Sequence, residues 1–263
     1  MAVGARLVRD QAWTSHAPTH SGQVPAICAD DRGVNLPGVT LGHLHLSPFP
    51  LMSAPAFLEP ASAEHEKSKY EQMWRCDDYR IFSPGLHALE KLDLAKQFRG
   101  LGVRSILDAG CGSGKFMRRI LEQHAGEFTI RGFDIADNCL DPWFAGREAE
   151  LLTTGCLWEP GALPSPNDAV VCTDVMEHIP TDHVPAVLRN LRTAATRCVF
   201  LGIALFPDAF GPKVLGAPLH LTVKPVDWWR DQVAAAGLEM ISGAVQRNPD
   251  ETPMWLYLLC RPT

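Results

Sequence analysis

The sequence predicts an α/β domain built on a doubly wound, mostly parallel sheet, and three observations carry that prediction. Apolar strand-like runs alternate with helical stretches from about residue 64 to the C-terminus. The run Ser105, Ile106, Leu107, Asp108, Ala109 leads straight into a turn with Gly110, Gly112 and Gly114, the pattern of a strand opening onto bare backbone before a helix. A further strand-like run, residues 128–134, ends in Asp134. It lies about 20 residues past the last glycine, where a βαβ unit places an acid to receive ribose hydroxyls.

The elements follow in order. Proline, alanine, glycine, serine and histidine dominate residues 14–63 without helical or alternating period, so residues 1–63 are expected to be a loop-like or disordered extension and 64–263 the folded domain. His43 and His45 in that extension lack partners at metal-ligand spacing. Charged residues open a helix through Tyr70 and Trp74, and Tyr79 to Gly85 marks a turn before an amphipathic helix over 86–98. Strands are expected at 103–107, 128–134, 150–153, 169–173, 198–205, 238–245 and 254–260. Helices are expected at 115–124, after Asp134, at 185–195 and at 226–236, with a long loop over 206–220.

Composition narrows the function classes. With 263 residues and 46% hydrophobic content the chain buries a full α/β core. The 24 basic and 30 acidic residues sum to −6, which is no footprint for duplex nucleic acid. No apolar run spans a membrane and no charged start precedes an apolar core, so a cytoplasmic protein is expected. Eight cysteines without a C-x-x-C pair read as buried free thiols.

Glycine spacing separates one cofactor from another. A dinucleotide turn has G-x-G-x-x-G, whereas Gly110, Gly112 and Gly114 alternate with single residues, which argues against a nicotinamide oxidoreductase. Asp108 at the strand end repels phosphates and suits a cationic or amino-bearing ligand. Asp108 to Gly114 resembles the first motif of the class I S-adenosylmethionine-dependent methyltransferases. The resemblance implies a Rossmann-like fold with the last strand antiparallel, and S-adenosylmethionine as cofactor. Asp134 then takes the ribose hydroxyls, with Ile135 beside it; the alternative is a surface Asp capping the next helix.

Two more stretches resemble the ubiquinone-biosynthesis O-methyltransferase-like branch. Asp168 to Pro180 carries an apolar strand into a Glu177-His178 pair at the carboxyl end of the sheet. In that comparison Thr173 borders the cofactor while Glu177 and His178 face the substrate. Tyr79 to Pro84 matches an Arg-Ile-x-Pro-type segment, which implies that Arg80 pairs with the cofactor's methionyl carboxylate, against the plain alternative of a surface cation. Where many relatives have an acid and a small apolar residue flanking adenine, this chain has Cys156 and Leu157. Trp158 is either a pocket wall or core.

Methyl transfer from a sulfonium rests mainly on alignment, but a neutral hydroxyl profits from a base, and His178 is the candidate. The alternative is that Glu177 and His178 cap the next helix. Asp174, Glu177 and His178, joined by His220, also resemble the magnesium-binding set of some small-RNA 2′-O-methyltransferases, leaving a metal open. The loop 206–220 with Trp228 and Trp229 is expected to cover substrate, the alternative being that the tryptophans, at least one of them, anchor the following helix to the sheet. Residues 173–176 lack the Asp/Asn-Pro-Pro-aromatic run of amino-methylating DNA enzymes, and Cys172 lacks the preceding proline of cytosine-C5 enzymes. The expected function is S-adenosylmethionine-dependent transfer to a hydroxyl or amine of a small molecule, nucleotide or glycan. A non-catalytic methyltransferase-fold binding protein is the other class.

Overall fold

The computed structural model describes residues 62–81 and 83–263, so nearly all of the expected extension at 1–63, with His43, His45 and Cys28, lies outside the described residues. The strands are β1 (Ser105–Ala109), β2 (Thr129–Asp134), β3 (Leu152–Thr154), β4 (Asn167–Thr173), β5 (Ala195–Ala204), β6 (Leu238–Arg247) and β7 (Pro253–Pro262). They form one sheet in the order β3-β2-β1-β4-β5-β7-β6. β3 through β5 run parallel, and β7 inserts antiparallel between β5 and β6. This is the class I methyltransferase arrangement.

Alternation along the strands explains the layering. Ile106, Val171 and Phe200 face one apolar cluster, with Phe98, Phe116 and Ile120 from the helices. Their neighbours Leu107, Val170 and Leu201 face the other, with Leu188 and Trp229. A period of two with both faces apolar is what a sheet covered on both sides requires.

The helices are α1 (Ala63–Met73), α2 (Asp77–Arg80), α3 (Pro84–Lys91), α4 (Leu94–Gly100), α5 (Lys115–Gln123), α6 (Glu148–Leu151), α7 (Val184–Ala194), α8 (Phe210–Leu215) and α9 (Val226–Ala235). Three differ from expectation. The single helix over 86–98 is broken at Asp93, whose φ of 46° is left-handed, giving α3 and α4. The helix after Asp134 is short and late: the chain is held as a loop up to the 3₁₀ turn Pro142–Phe144, and the helix before β3 is the single turn α6. The long loop contains α8.

The seven described cysteines are free and six are buried. No helix among the described residues is long and apolar enough to cross a membrane. β1 is flanked by β2 on one side and β4 on the other, so chain direction around the sheet reverses there and a crevice opens at the carboxyl ends of these strands.

Candidate active site

The glycine turn sits at that reversal. Gly110 and Cys111 donate their backbone N–H groups to the Phe133 carbonyl at 2.7 and 3.0 Å, which ties the turn to the end of β2. Gly110 has φ 81°, and a Cβ there would come within 2.3 Å of the Val175 side chain. Gly112 has φ 51°, and a Cβ would come within 2.7 Å of the Trp74 ring. Both positions therefore demand glycine for backbone conformation and for close approach. Gly114 is the N-cap of α5, also left-handed.

Asp134 is the hub of the turn. One carboxylate oxygen accepts from Gly112 N–H at 2.9 Å and the other from Ala136 N–H at 3.0 Å, so the acid locks the glycine turn to the end of β2. Burial pushes its pKa up to about 6, against the backbone N–H groups that favour the charged form. Asp108, at the end of β1, is buried in the same crevice, and burial with Asp134 nearby raises it to about 8. Asp134, Ile135, Leu157 and Gly110 line one narrow cavity of about 80 Å³ together with Trp158, Tyr70 and Trp74. A second, of about 70 Å³, is lined by Asp108, Gly112 and Thr173.

The two remaining cofactor candidates stand apart. Cys156 is buried but lines neither cavity, and burial raises its thiol to about 12. The Arg80 guanidinium donates to four carbonyl contacts: Trp74 at 2.6 Å, Cys139 at 2.9 Å, Leu140 at 3.1 Å and Asn138 at 2.6 Å. With Asp141 at 3.5 Å as well, it pins α2 to the loop after β2. That loop is also held by Asn138, which donates to the Glu71 carbonyl at 2.9 Å. These contacts brace the loop after β2. They also account for the late start of the helix α6, because the carbonyls of 138–140 bond to Arg80 instead of within the chain.

Beyond β4 the chain turns through Asp174, whose φ of 60° is strained for a non-glycine residue. Glu177 is fully buried. One of its carboxyl oxygens accepts from Ala204 N–H at 2.9 Å, and its carbonyl accepts from Leu221 and Thr222 N–H, both at 2.8 Å. Burial and the neighbouring Asp174 push Glu177 well above the usual carboxylate range, and burial raises Asp174 too.

His178 is neutral, its pKa brought down to about 3 by burial, with His220 and Lys69 adding to the effect. Its Nδ1 shares a 2.8 Å hydrogen bond with the Tyr70 hydroxyl. His220 lies edge-on to His178 at 4.7 Å between ring centres. Its Nδ1–H donates to the Phe206 carbonyl at 2.6 Å. One ligand-type atom from each of Asp174, Glu177, His178 and His220 falls within 4.8 Å of all the others, the donor set a divalent cation takes. Cys111, Asp134 and Cys139 form a second such group.

His178, Asp174 and Tyr79 also border a chamber of about 570 Å³ walled by the loop 206–220. Asp208 braces this loop, accepting from Gly211, Leu219 and His220 N–H at 2.6, 2.7 and 3.0 Å. Of the tryptophans expected to join the cover, Trp229 is buried in the core, and neither it nor Trp228 lines the chamber. Trp158 serves as wall, stacked at 4.8 Å on His183. Tyr70, Trp74 and Tyr79 were not among the sequence candidates; their signal was an aromatic-rich stretch just ahead of the first strand.

The fold matches magnesium protoporphyrin IX methyltransferase from Synechocystis PCC 6803, crystallised with S-adenosylhomocysteine. The TM-score is 0.52 at 20% identity, covering 76% of this chain and 98% of that one. It also matches the 1,6-didemethyltoxoflavin N1-methyltransferase of Burkholderia thailandensis, solved with 1,6-didemethyltoxoflavin and S-adenosylhomocysteine. Here the TM-score is 0.57 at 14% identity, covering 80% and 94%. At such identities the likeness establishes the fold. No curated protein sequence matches the chain. The profile of the Methyltransferase domain family matches residues 57–201, more than half of the sequence, and the chain belongs to that family.

Proposed function

We propose that this protein is an S-adenosylmethionine-dependent methyltransferase acting on a hydroxyl or amine of a small molecule. The observation that carries the reading is the Asp134 lock on the glycine turn, at the carboxyl ends of β1 and β2 where a crevice opens beside a separate chamber. The residues there fit the donor. Each Asp134 oxygen keeps a lone pair for a ribose hydroxyl, and Ile135 and Leu157 offer apolar faces for a base. Thr173 borders the same crevice, and Asp108 is a buried acid able to receive an ammonium group. Bound there, the cofactor supplies a methyl carbon already activated by its sulfonium leaving group.

The chain's own task is then alignment and proton handling. His178 lies on the border between crevice and chamber. In the tautomer that donates Nδ1–H to the Tyr70 oxygen, its Nε2 carries the lone pair that takes the hydrogen of an acceptor hydroxyl, in exchange for its contact with the Leu219 backbone. A ring held this far below its ordinary pKa removes no proton in advance. It orients the hydroxyl and takes the proton as the new bond forms.

A second reading, favoured by the convergence of Asp174, Glu177, His178 and His220, adds a divalent cation at the same border. Chelator treatment followed by magnesium or manganese tests it: unchanged turnover throughout removes the cation from the account. The function itself is tested by incubating the purified chain with labelled S-adenosylmethionine and fractionated cell extract. Label in an extract fraction supports an enzyme. Cofactor binding with no transfer to any fraction supports the non-catalytic class.

A further inference from the structure

The chamber beside His178 carries an inference that rests on the proposed function and names its acceptor class. Its size, about 570 Å³, is that of a site for a small organic molecule. Its wall is aromatic: Tyr79, Phe206, Phe210, Trp255 and Tyr257 all face it. Trp255 and Tyr257 are two apart on β7 and so point to the same side of the sheet. Their rings lie 11° from parallel with centres 6.2 Å apart, and Tyr257 continues into Phe200 at 14° and 6.2 Å. Phe206 stands edge-on to Trp255 at 77° and 5.7 Å. A row of near-parallel rings on a strand, closed at one end by an edge, is a rigid slot for a flat ring.

Charge sharpens the class. Among the described residues no Lys or Arg lines the chamber, while Asp174 and Asp208 do. A phosphate or carboxylate placed there meets repulsion from these two acids and finds neither a guanidinium nor an ammonium to offset its desolvation, the histidines His87, His178 and His220 being the basic groups of the described lining. Free polar groups are scarce as well. Asp208 is committed to three backbone N–H groups, His220 Nδ1 to a carbonyl, and Gln246 accepts from the Tyr257 hydroxyl at 3.4 Å. A sugar with several hydroxyls to satisfy fits this lining poorly. Ser83 and His87 add polar groups to the wall, and Tyr79, His178 and Asp174 lie where the chamber meets the crevice.

We propose that the methyl acceptor is a planar aromatic compound without phosphate or carboxylate groups. Its ring lies against Trp255 and Tyr257, and its hydroxyl or amine is directed at His178. Nucleotides and glycans are thereby set aside. The nucleophile's lone pair forms the new bond to the methyl carbon, the carbon–sulfur bond breaks toward sulfur, and the nucleophile's proton passes to His178.

The test uses the full chain and two readouts. Saturation-transfer NMR with naphthol, with and without S-adenosylhomocysteine, reads the chamber. Mass spectrometry then reads methyl transfer from S-adenosylmethionine to naphthols and catechols, nucleoside monophosphates and monosaccharides in parallel. The expected result is naphthol binding, methylation confined to the aromatic set, and about a tenfold weaker naphthol response in Trp255→Ala, whose S-adenosylhomocysteine affinity is unchanged. Absence of naphthol binding, or methylation of nucleotides or sugars in place of aromatics by a protein that binds S-adenosylhomocysteine, overturns the inference alone. Failure to bind S-adenosylhomocysteine overturns the functional reading beneath it.

Discussion

The hydroxyl of Tyr70 lies 2.8 Å from Nδ1 of His178, so the first helix of the domain is hydrogen-bonded directly to the turn after β4. The two residues are 108 positions apart, and both line the same cavity. The account makes this pair the support for proton transfer. Tyr70→Phe keeps the ring and removes the bond. It is expected to lower kcat about tenfold and stability by about 1 kcal/mol, with cofactor affinity retained. Steady-state kinetics and thermal melts check this; a fall in affinity without a fall in kcat would place Tyr70 on the cofactor side instead.

Gly112 is held at φ 51° with the Trp74 ring 2.7 Å from where a Cβ would sit. Gly112→Ala is expected to cost about 2 kcal/mol in denaturant unfolding. Added to Trp74→Ala the cost should shrink but not vanish, because the clash is relieved and the strained φ remains.

Burial raises Asp108 from 3.8 to about 8, and this sets a pH dependence. The folded chain keeps the proton up to about pH 8, whereas the unfolded chain releases it near pH 3.8. Across that window the native state binds more protons, so stability falls as pH rises. Asp108→Asn abolishes this contribution. Thermal melts from pH 5 to 8 should show a flatter profile, with the variant more stable than wild type at pH 7 by at least about 1 kcal/mol. An unchanged slope would mean the acid ionises normally in the fold.

Arg80 braces the loop after β2 through four carbonyl contacts. Arg80→Ala should destabilise the domain by about 2 kcal/mol, and Arg80→Lys should recover little of it, since an ammonium does not reproduce the guanidinium fork. Faster hydrogen exchange at residues 136–141 in Arg80→Ala is the local signature. If exchange there is unchanged while cofactor affinity collapses, Arg80 belongs to the cofactor.

Much of this arrangement was legible in the chain because it depends on local chemistry. An apolar strand entering Gly110, Gly112 and Gly114, then a second strand ending in Asp134, carries its own periodicity and its own need for φ above zero. The Glu177-His178 pair was legible in the same way, at the end of an apolar run. What was hidden depends on distant contacts. Asp93 breaks a well-patterned amphipathic helix by adopting a left-handed conformation that its neighbours do not announce. The helix expected after Asp134 is delayed to α6, because the carbonyls of 138–140 are taken by Arg80 from 58 to 60 positions away. The roles of Tyr70, Trp74 and Tyr79 follow only from α1 and α2 folding over the crevice, which no spacing within residues 63–80 encodes. The position of β7 between β5 and β6 came from family resemblance, not from periodicity.

The central claim is that Asp134 and the glycine turn it locks hold the methyl donor. Calorimetric titration of the purified chain and of Asp134→Ala with S-adenosylhomocysteine tests it most directly. The account predicts binding by wild type and a loss of about tenfold or more in the variant, since a carboxylate contact to ribose hydroxyls and the anchor of Gly112 disappear together. No binding by wild type, or equal affinity in the two proteins, would contradict it.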